Sequence, residues 1–281
     1  TMGRDYALND GEDAAVAEAL FEQYLPRFAG DAVPSNAVGT TLALADRLDS
    51  LVGIFSIGQQ PSGSRDPFAL RRASLGVLRI MVEQKVDMDL NIAIAAAAKP
   101  FSNGGDELCK QVLTYVTERL KSWYRDENIT PEVFASVAAM ELSNPLDINA
   151  RVKAVDEFSR AVEAVALASA NKRVLNILAK QGETKVEAKV DSTLFEDPAE
   201  IQLAAEIERL RLLIAPLVEE RNYMGVLAAL ATLREPVDTF FDGVLVMADN
   251  PEVRANRLAL LHSLRQLFLN VADISHLVVT K

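Results

Sequence analysis

The sequence predicts an all-α protein with two or more helical domains, and three observations carry that reading. Four capping residues stand directly before proline, in Asp66-Pro67, Thr130-Pro131, Asp197-Pro198 and Asn250-Pro251. Proline at the first helical position loses no needed hydrogen bond, and the side chain before it can satisfy orphan amides of the first turn. Downstream of these pairs, apolar residues recur at three- and four-residue steps, which places them on one helical face. Strand signals are nearly absent. Only Lys185 to Val190 alternates, and its place between helical patterns reads as an extended linker.

Taken in order, helical patterns fall at about 13–28, 35–57, 67–85 and 104–127. A long segment from about Asp147 carries Val152, Val155, Phe158, Val162 and Val165 as one stripe. From Asp197 the stripe is Leu203, Ile207, Leu210, Ile214 and Leu217, and from Asn250 it is Leu261, Leu264, Phe268 and Val271. No repeat at a solenoid period is present. Domain boundaries are expected near Gln181-Gly182 and, more weakly, between Lys99-Pro100 and Gly104-Gly105. These divide the chain into residues 1–100, 101–182 and 183–281, the last a helical bundle.

At 281 residues, 49% apolar and 25% charged, the chain has enough apolar surface for a sizeable core and is not a disordered polymer. Its net charge of −11 excludes a broadly basic coat, so any nucleic-acid contact must use local patches. Two such islands exist, residues 58–85 and 151–189, each with a net charge of +3 between acidic stretches. Cys109 is the only cysteine, which excludes an intramolecular disulfide and a cysteine-rich zinc site. Thr1 before Met2 suits an excised piece, and the acidic start carries no signal-peptide core. No apolar run approaches the roughly 18–20 residues of a membrane span, so no membrane partner is expected and the expected location is the cytoplasm.

Several short patterns invite chemistry and mostly fail its requirements. Gly58 to Gly63 has phosphate-loop spacing, but Ser64-Arg65 replaces the required Lys-Ser/Thr and a helical pattern precedes it. It reads as a helix–helix connection. Asp46 and Asp49 lie three apart on one helix, yet no histidine precedes His262 to complete a metal site of the HD-phosphohydrolase kind. His262 and His276, inside and near the end of the last helix, lack partners at ligand spacing and read as structural. Trp123-Tyr124-Arg125 reads as a core anchor at a helix end rather than a base-stacking platform. Arg72 and Arg79 are seven apart and share a helical face that could grip a sugar–phosphate backbone or pair with neighbouring carboxylates.

Longer runs carry a resemblance. Pro26-Arg27-Phe28-Ala29-Gly30-Asp31, Ala43 to Phe55, Ile57-Gly58 and Asp66-Pro67-Phe68-Ala69-Leu70-Arg71-Arg72 closely resemble the β subunit of bacterial glycyl-tRNA synthetase. So do Ala170 to Val174, Asn176-Ile177-Leu178, Phe240 to Met247 and Asn256 to Leu261. That family's β subunit is longer, so the resemblance implies its C-terminal part. It implies that residues up to about 100 end an HD-like module lacking evident metal ligands. The last roughly 95 residues resemble the DALR anticodon-binding domain, the likeness sitting on Arg257 to Leu261, Leu264, Leu267 and Ala272-Asp273-Ile274.

The implied function is tRNA binding and anticodon recognition in support of glycine–tRNA ligation, with no catalytic site or metal in this chain. ATP and Mg²⁺ belong to the α subunit of the complete α/β enzyme. Implied partners are glycine tRNA and that α subunit. Candidate tRNA contacts are Arg254, Asn256 and Arg257, with Arg221 and Arg234 outside them. Lys172 and Arg173 in the second island and Arg71, Arg72 and Arg79 in the first complete the set. The alternative is an all-helical assembly module for α/β or β/β contacts. A metal-dependent phosphohydrolase is disfavoured by the histidine count.

Overall fold

The computed structural model describes residues 2–63, 65–180 and 189–277. Their regular structure is helical, and the one β-type contact among them is an isolated bridge between Ser62 and Arg65. Residues 185–188 of the expected linker lie outside the described residues, as do Gln181-Gly182 and Ser64.

In chain order the helices are α1 (Met2–Asn9), α2 (Ala14–Glu22), α3 (Ala37–Ser56), α4 (Leu70–Glu83), α5 (Leu90–Ala98), α6 (Asp106–Thr117) and α7 (Arg119–Asp126). There follow α8 (Pro131–Ala138), α9 (Pro145–Phe158), α10 (Val162–Lys180), α11 (Pro198–Glu219), α12 (Tyr223–Leu230), α13 (Arg234–Gly243) and α14 (Pro251–Leu269). Short 3₁₀ turns occupy Ser192–Leu194, Ala231–Leu233 and Ile274–Leu277.

The chain forms two compact units, Thr1–Asn128 with Leu142–Asn149, and Ile129–Glu141 with Ala150–Lys281. In the first, α3 packs against α2, α4, α5 and α6. Its Leu48, Leu51, Val52 and Phe55 are buried with Val77, Leu78, Ile80 and Met81 of α4. In the second, α11 packs on α12, α13 and α14. The expected stripe of α11 is buried at Leu203, Ile207, Leu210 and Ile214, and that of α14 at Leu261, Leu264 and Phe268, continued by buried Val271 just beyond the helix. The break expected near residue 100 therefore falls inside the first unit. The break expected near 182 falls inside the second, because α10 buries Leu167, Ala168, Val174 and Leu178 and packs on α13, α14 and the 274–277 turn.

Helix starts follow the capping chemistry with one shift. Asp197 and Glu200 form a reciprocal capping box, and Asn250 accepts from the Glu252 amide. Thr130 precedes α8 without a side-chain cap bond. Asp66 does cap a helix, but from farther back: its carboxylate accepts from the Leu70 and Arg71 amides, so α4 starts at Leu70. Two expected long helices are interrupted. The Thr117 hydroxyl donates to the Leu113 carbonyl at 2.9 Å, and Ser159 donates to Asp156 O at 2.7 Å. Such back-bonding competes with the backbone ladder, and the chain breaks at 118 and at 159–161. The second break turns the stripe, leaving Val162 and Val165 exposed.

A buried arginine organises the first unit. Arg47 of α3, 8% exposed, donates Nη1 to Gln23 O at 2.8 Å and Ala43 O at 2.9 Å, and Nη2 to Pro26 O at 3.3 Å. Burial pushes its pKa down, while Asp46 works in the other direction. Gly76 of α4 makes room for it: a Cβ there would lie 2.6 Å from Arg47 Nε. In Gly76→Ala, overpacking against this clamped side chain should outweigh the roughly 1 kcal/mol that alanine gains over glycine in a helix. A net loss of about 1–2 kcal/mol is expected in urea unfolding of the first unit. A more stable variant would show that Arg47 moves freely.

Candidate nucleic-acid interface

The two residues placed at the centre of the expected anticodon contact are interior. Arg257 is 6% and Asn256 5% exposed. Arg257 donates Nε to Glu200 Oε1 at 2.8 Å, Nη2 to Glu196 at 3.0 Å and to Glu200 Oε2 at 3.2 Å, and Nη1 to Leu245 O at 3.0 Å. Asn256 accepts from the Asp191 amide at 2.8 Å and donates to the Asp191 carbonyl at 2.9 Å. Both serve the interior of the unit, because their hydrogen-bonding groups are engaged there. Glu200 itself is fully buried. Burial raises its pKa, but Arg257 and the amides of Glu196 and Asp197 outweigh this and hold the carboxyl below its ordinary value.

The remaining expected contacts divide by what already holds them. Arg254 is half-buried and donates to Ala248 O at 3.4 Å, and Arg234 lies 3.9 Å from Asp238. Arg221 is exposed beyond the end of α11 and interacts within the chain. Arg79 of α4 is committed to Glu83 at 2.7 Å and to Asp31 O at 2.8 Å, so it too is structural. Arg71 donates to Gly63 O, closing the Gly58–Gly63 connection onto α4. Arg72 alone of that trio is exposed and makes no hydrogen bond or ion pair among the described residues.

In the second unit, Arg173 is exposed on α10 with its guanidinium stacked over the Phe241 ring at 4.2 Å. Such stacking fixes the plane of the cation while leaving its N–H edges available. Asn176 and Lys180 follow at steps of three and four, so the three exposed residues share a face. They line a shallow concavity of about 390 Å³ together with Lys172, which is half-buried and interacts within the chain. Neither Asn176 nor Lys180 was singled out from the sequence as a contact. Their three- and seven-residue spacings from Arg173 are the available signal.

Other candidate chemistries fare differently. Tyr124 is fully buried and its ring stacks on Trp123, as expected of a core anchor. His262 sits 3.2 Å from Gln266, while His276 lies in the 274–277 turn, beyond the end of α14. Among the described residues no group of three or more His, Cys, Asp or Glu side chains could hold a metal ion, and no helix is long and apolar enough to cross a membrane.

These features define a class: an all-helical, carboxylate-rich protein with exposed cations such as Arg72 in the first unit and Arg173 and Lys180 in the second. Residues 1–139 match the family model described as glycyl-tRNA synthetase beta subunit, and residues 167–275 the DALR anticodon binding domain. The chain belongs to the glycyl-tRNA synthetase β-subunit family and carries a DALR domain. It is 52% identical over 275 residues to a glycine–tRNA ligase beta subunit from Marinobacter nauticus and 50% identical over 279 residues to one from Proteus mirabilis. Each match covers 98% of this chain, which spans about 40% of the length of those relatives. The DALR match begins inside α10, so the basic face of that helix belongs to the same domain as α11–α14.

The Arg257 cluster sets an acid limit on the second unit. Asp273 is also held below its ordinary value: burial raises its pKa, but Arg265, at 2.5 Å, and Ser275 outweigh this. Stabilisation from such depressed carboxyls is complete above the ordinary unfolded range, near pH 4. It is lost as pH falls through the lower folded values. Arg257→Ala leaves Glu200 buried without its cation, and a loss of about 3–5 kcal/mol is expected. Unfolding measured between pH 3 and 7 should also show a flatter acid limb than in the parent protein. An unchanged limb would separate Arg257 from Glu200.

Proposed function

We propose that this chain is a tRNA-gripping portion of glycine–tRNA ligase, in which the DALR domain reads the anticodon of glycine tRNA and the partner α subunit carries out glycine activation. The observation that carries the reading is the exposed Arg173–Asn176–Lys180 face of α10 within the DALR-matched segment. Anticodon bases are single-stranded and can splay out. They are recognised by stacking and by edge hydrogen bonds, with cations on the neighbouring phosphates. Arg173, restrained by the Phe241 ring beside it, supplies a planar donor fork; Lys180 supplies a charge on a long side chain; Asn176 between them can both donate and accept.

Glycine activation requires ATP and Mg²⁺, and the Gly58–Gly63 loop of this chain follows α3 and lacks the phosphate-binding lysine. In this reading both belong to the α subunit, and the present chain contributes affinity and orientation. The assembly alternative draws on exposed apolar residues of α11, Ile201 at 57% and Leu212 at 70%. These leave room for subunit contacts on the same protein.

Binding of glycine tRNA should weaken steeply with salt. Arg173→Ala and Lys180→Ala should each reduce affinity severalfold without changing thermal stability, and the combined variant should lose the preference for the glycine anticodon. Fluorescence anisotropy with wild-type and anticodon-substituted tRNA measures this. Equal affinity for both RNAs in the parent chain would remove the anticodon-reading role.

A further inference from the structure

Between α2 and α3, residues Gln23 to Asp31 run without a helix yet have their backbone fastened from two sides. Arg47 takes the Gln23 and Pro26 carbonyls, and Arg79 takes the Asp31 carbonyl. Within the segment, Asp31 accepts from the Arg27 amide at 2.9 Å and from Arg27 Nε at 2.8 Å. This constrained segment turns Tyr24 and Phe28 to solvent, 62% and 61% exposed.

Tyr24 and Arg27 form one wall of a concavity of about 390 Å³. Phe68, 46% exposed, and the exposed Arg72 line it too, as do Asp46 and Arg47 of α3. The composition is specific. Two aromatic side chains suit stacking, the exposed guanidinium of Arg72 suits a phosphate, and one exposed carboxylate suits amino or hydroxyl donors on the same ligand, while Arg27 stays paired with Asp31. A peptide anion would meet Asp46 with no use for the aromatic faces, and a bare duplex would present no free base to them. An unstacked nucleotide satisfies all three groups at once.

We infer that this concavity in the first unit takes one unpaired nucleotide of the bound RNA, its base against Tyr24 and Phe68 and its phosphate on Arg72. The inference rests on the reading of the chain as a tRNA binder, but it places a contact far along the sequence from the DALR domain and on residues outside that module. It also reassigns the first basic island: Arg72 faces RNA, while Arg71 and Arg79 shape the protein.

The test uses the full chain and a labelled single-stranded RNA tetramer beside a hairpin in which the same bases are paired. The parent chain should bind the tetramer more tightly than the hairpin. Tyr24→Ala and Arg72→Ala should each weaken tetramer binding roughly tenfold, and Tyr24→Phe should restore it. Both positions are at the surface, so unchanged thermal unfolding should accompany the loss. Arg173→Ala should leave tetramer binding intact while weakening tRNA binding. No tetramer binding, equal binding of the hairpin, or indifference to both alanine variants would overturn the inference. If tRNA binding stayed sensitive to Arg173→Ala in that event, the proposed function would stand without this pocket. Tetramer binding lost in both variants, with no tRNA preference anywhere, would instead support the pocket and remove the tRNA reading.

Discussion

The second unit depends on a single guanidinium enclosed by groups that no other side chain could satisfy together. Arg257 spans two carboxylates and a backbone carbonyl from two separate stretches of chain: Glu196 and Glu200 at the start of α11, and Leu245 between α13 and α14. A lysine could neutralise charge there, but its point-like ammonium lacks the planar fork that meets Glu200 with two nitrogens. Glu200 is shared in turn, since Oε2 also accepts from the Glu196 and Asp197 amides that open α11. The start of α11, the start of α14 and the loop leading into it are thus one electrostatic object. The neighbouring residue, Asn256, fixes Asp191 to the same place.

The first unit uses the same device with different partners. Arg47 has no carboxylate at bonding distance and is buried against carbonyl oxygens, whose partial charges offset a desolvation cost that would otherwise expel it. Its position between α3 and α4 needs a glycine at 76, which is a packing requirement. Arg79 completes the arrangement from α4 by holding Asp31 O. Arg27 and Asp31 bind each other firmly, and the side-chain bond from Arg27 is the main reason the Asp31 carboxyl is lowered to about 2. In both units, then, buried arginines position backbone, and exposed groups nearby inherit that rigidity.

Much of the helical framework was legible because capping and apolar spacing are local. Asp197, Asn250 and the α11 and α14 stripes needed only neighbours within a turn or two to declare themselves. The breaks at 118 and 159–161 were not legible, since Thr117 and Ser159 could equally have faced solvent within a continuous helix. The contact residues were read least well, for a physical reason. An arginine beside an asparagine at a helix start has the same sequence signature whether its fork meets phosphate or a buried glutamate. Glu200 lies 57 residues from Arg257, and only the fold brings them together. Helical spacing could have exposed the Arg173–Asn176–Lys180 face, but not the stacking partner Phe241, which arrives from α13.

This sorting changes what the net charge of −11 means. The residues from 190 onward carry seven arginines against fourteen carboxylates, a poor prospect for RNA if every charge counted equally. They do not count equally. Arg209, Arg211 and Arg265 are paired with Glu206, Glu208 and Asp273, and Arg257 is enclosed. Each such pair is nearly neutral at a distance beyond the screening length of about 8–10 Å. The field close to any one face is then set by the charges that face carries, and the Arg173–Asn176–Lys180 face of α10 carries two cations, with Glu163 back in the first turn of the helix. An acidic chain can present a phosphate-binding face when exposed cations share one face of a helix, even though many of its carboxylates stay unpaired elsewhere. The −11 then acts at longer range, where salt screens it, and disfavours unspecific adhesion to RNA more than it weakens a contact made at hydrogen-bond distance.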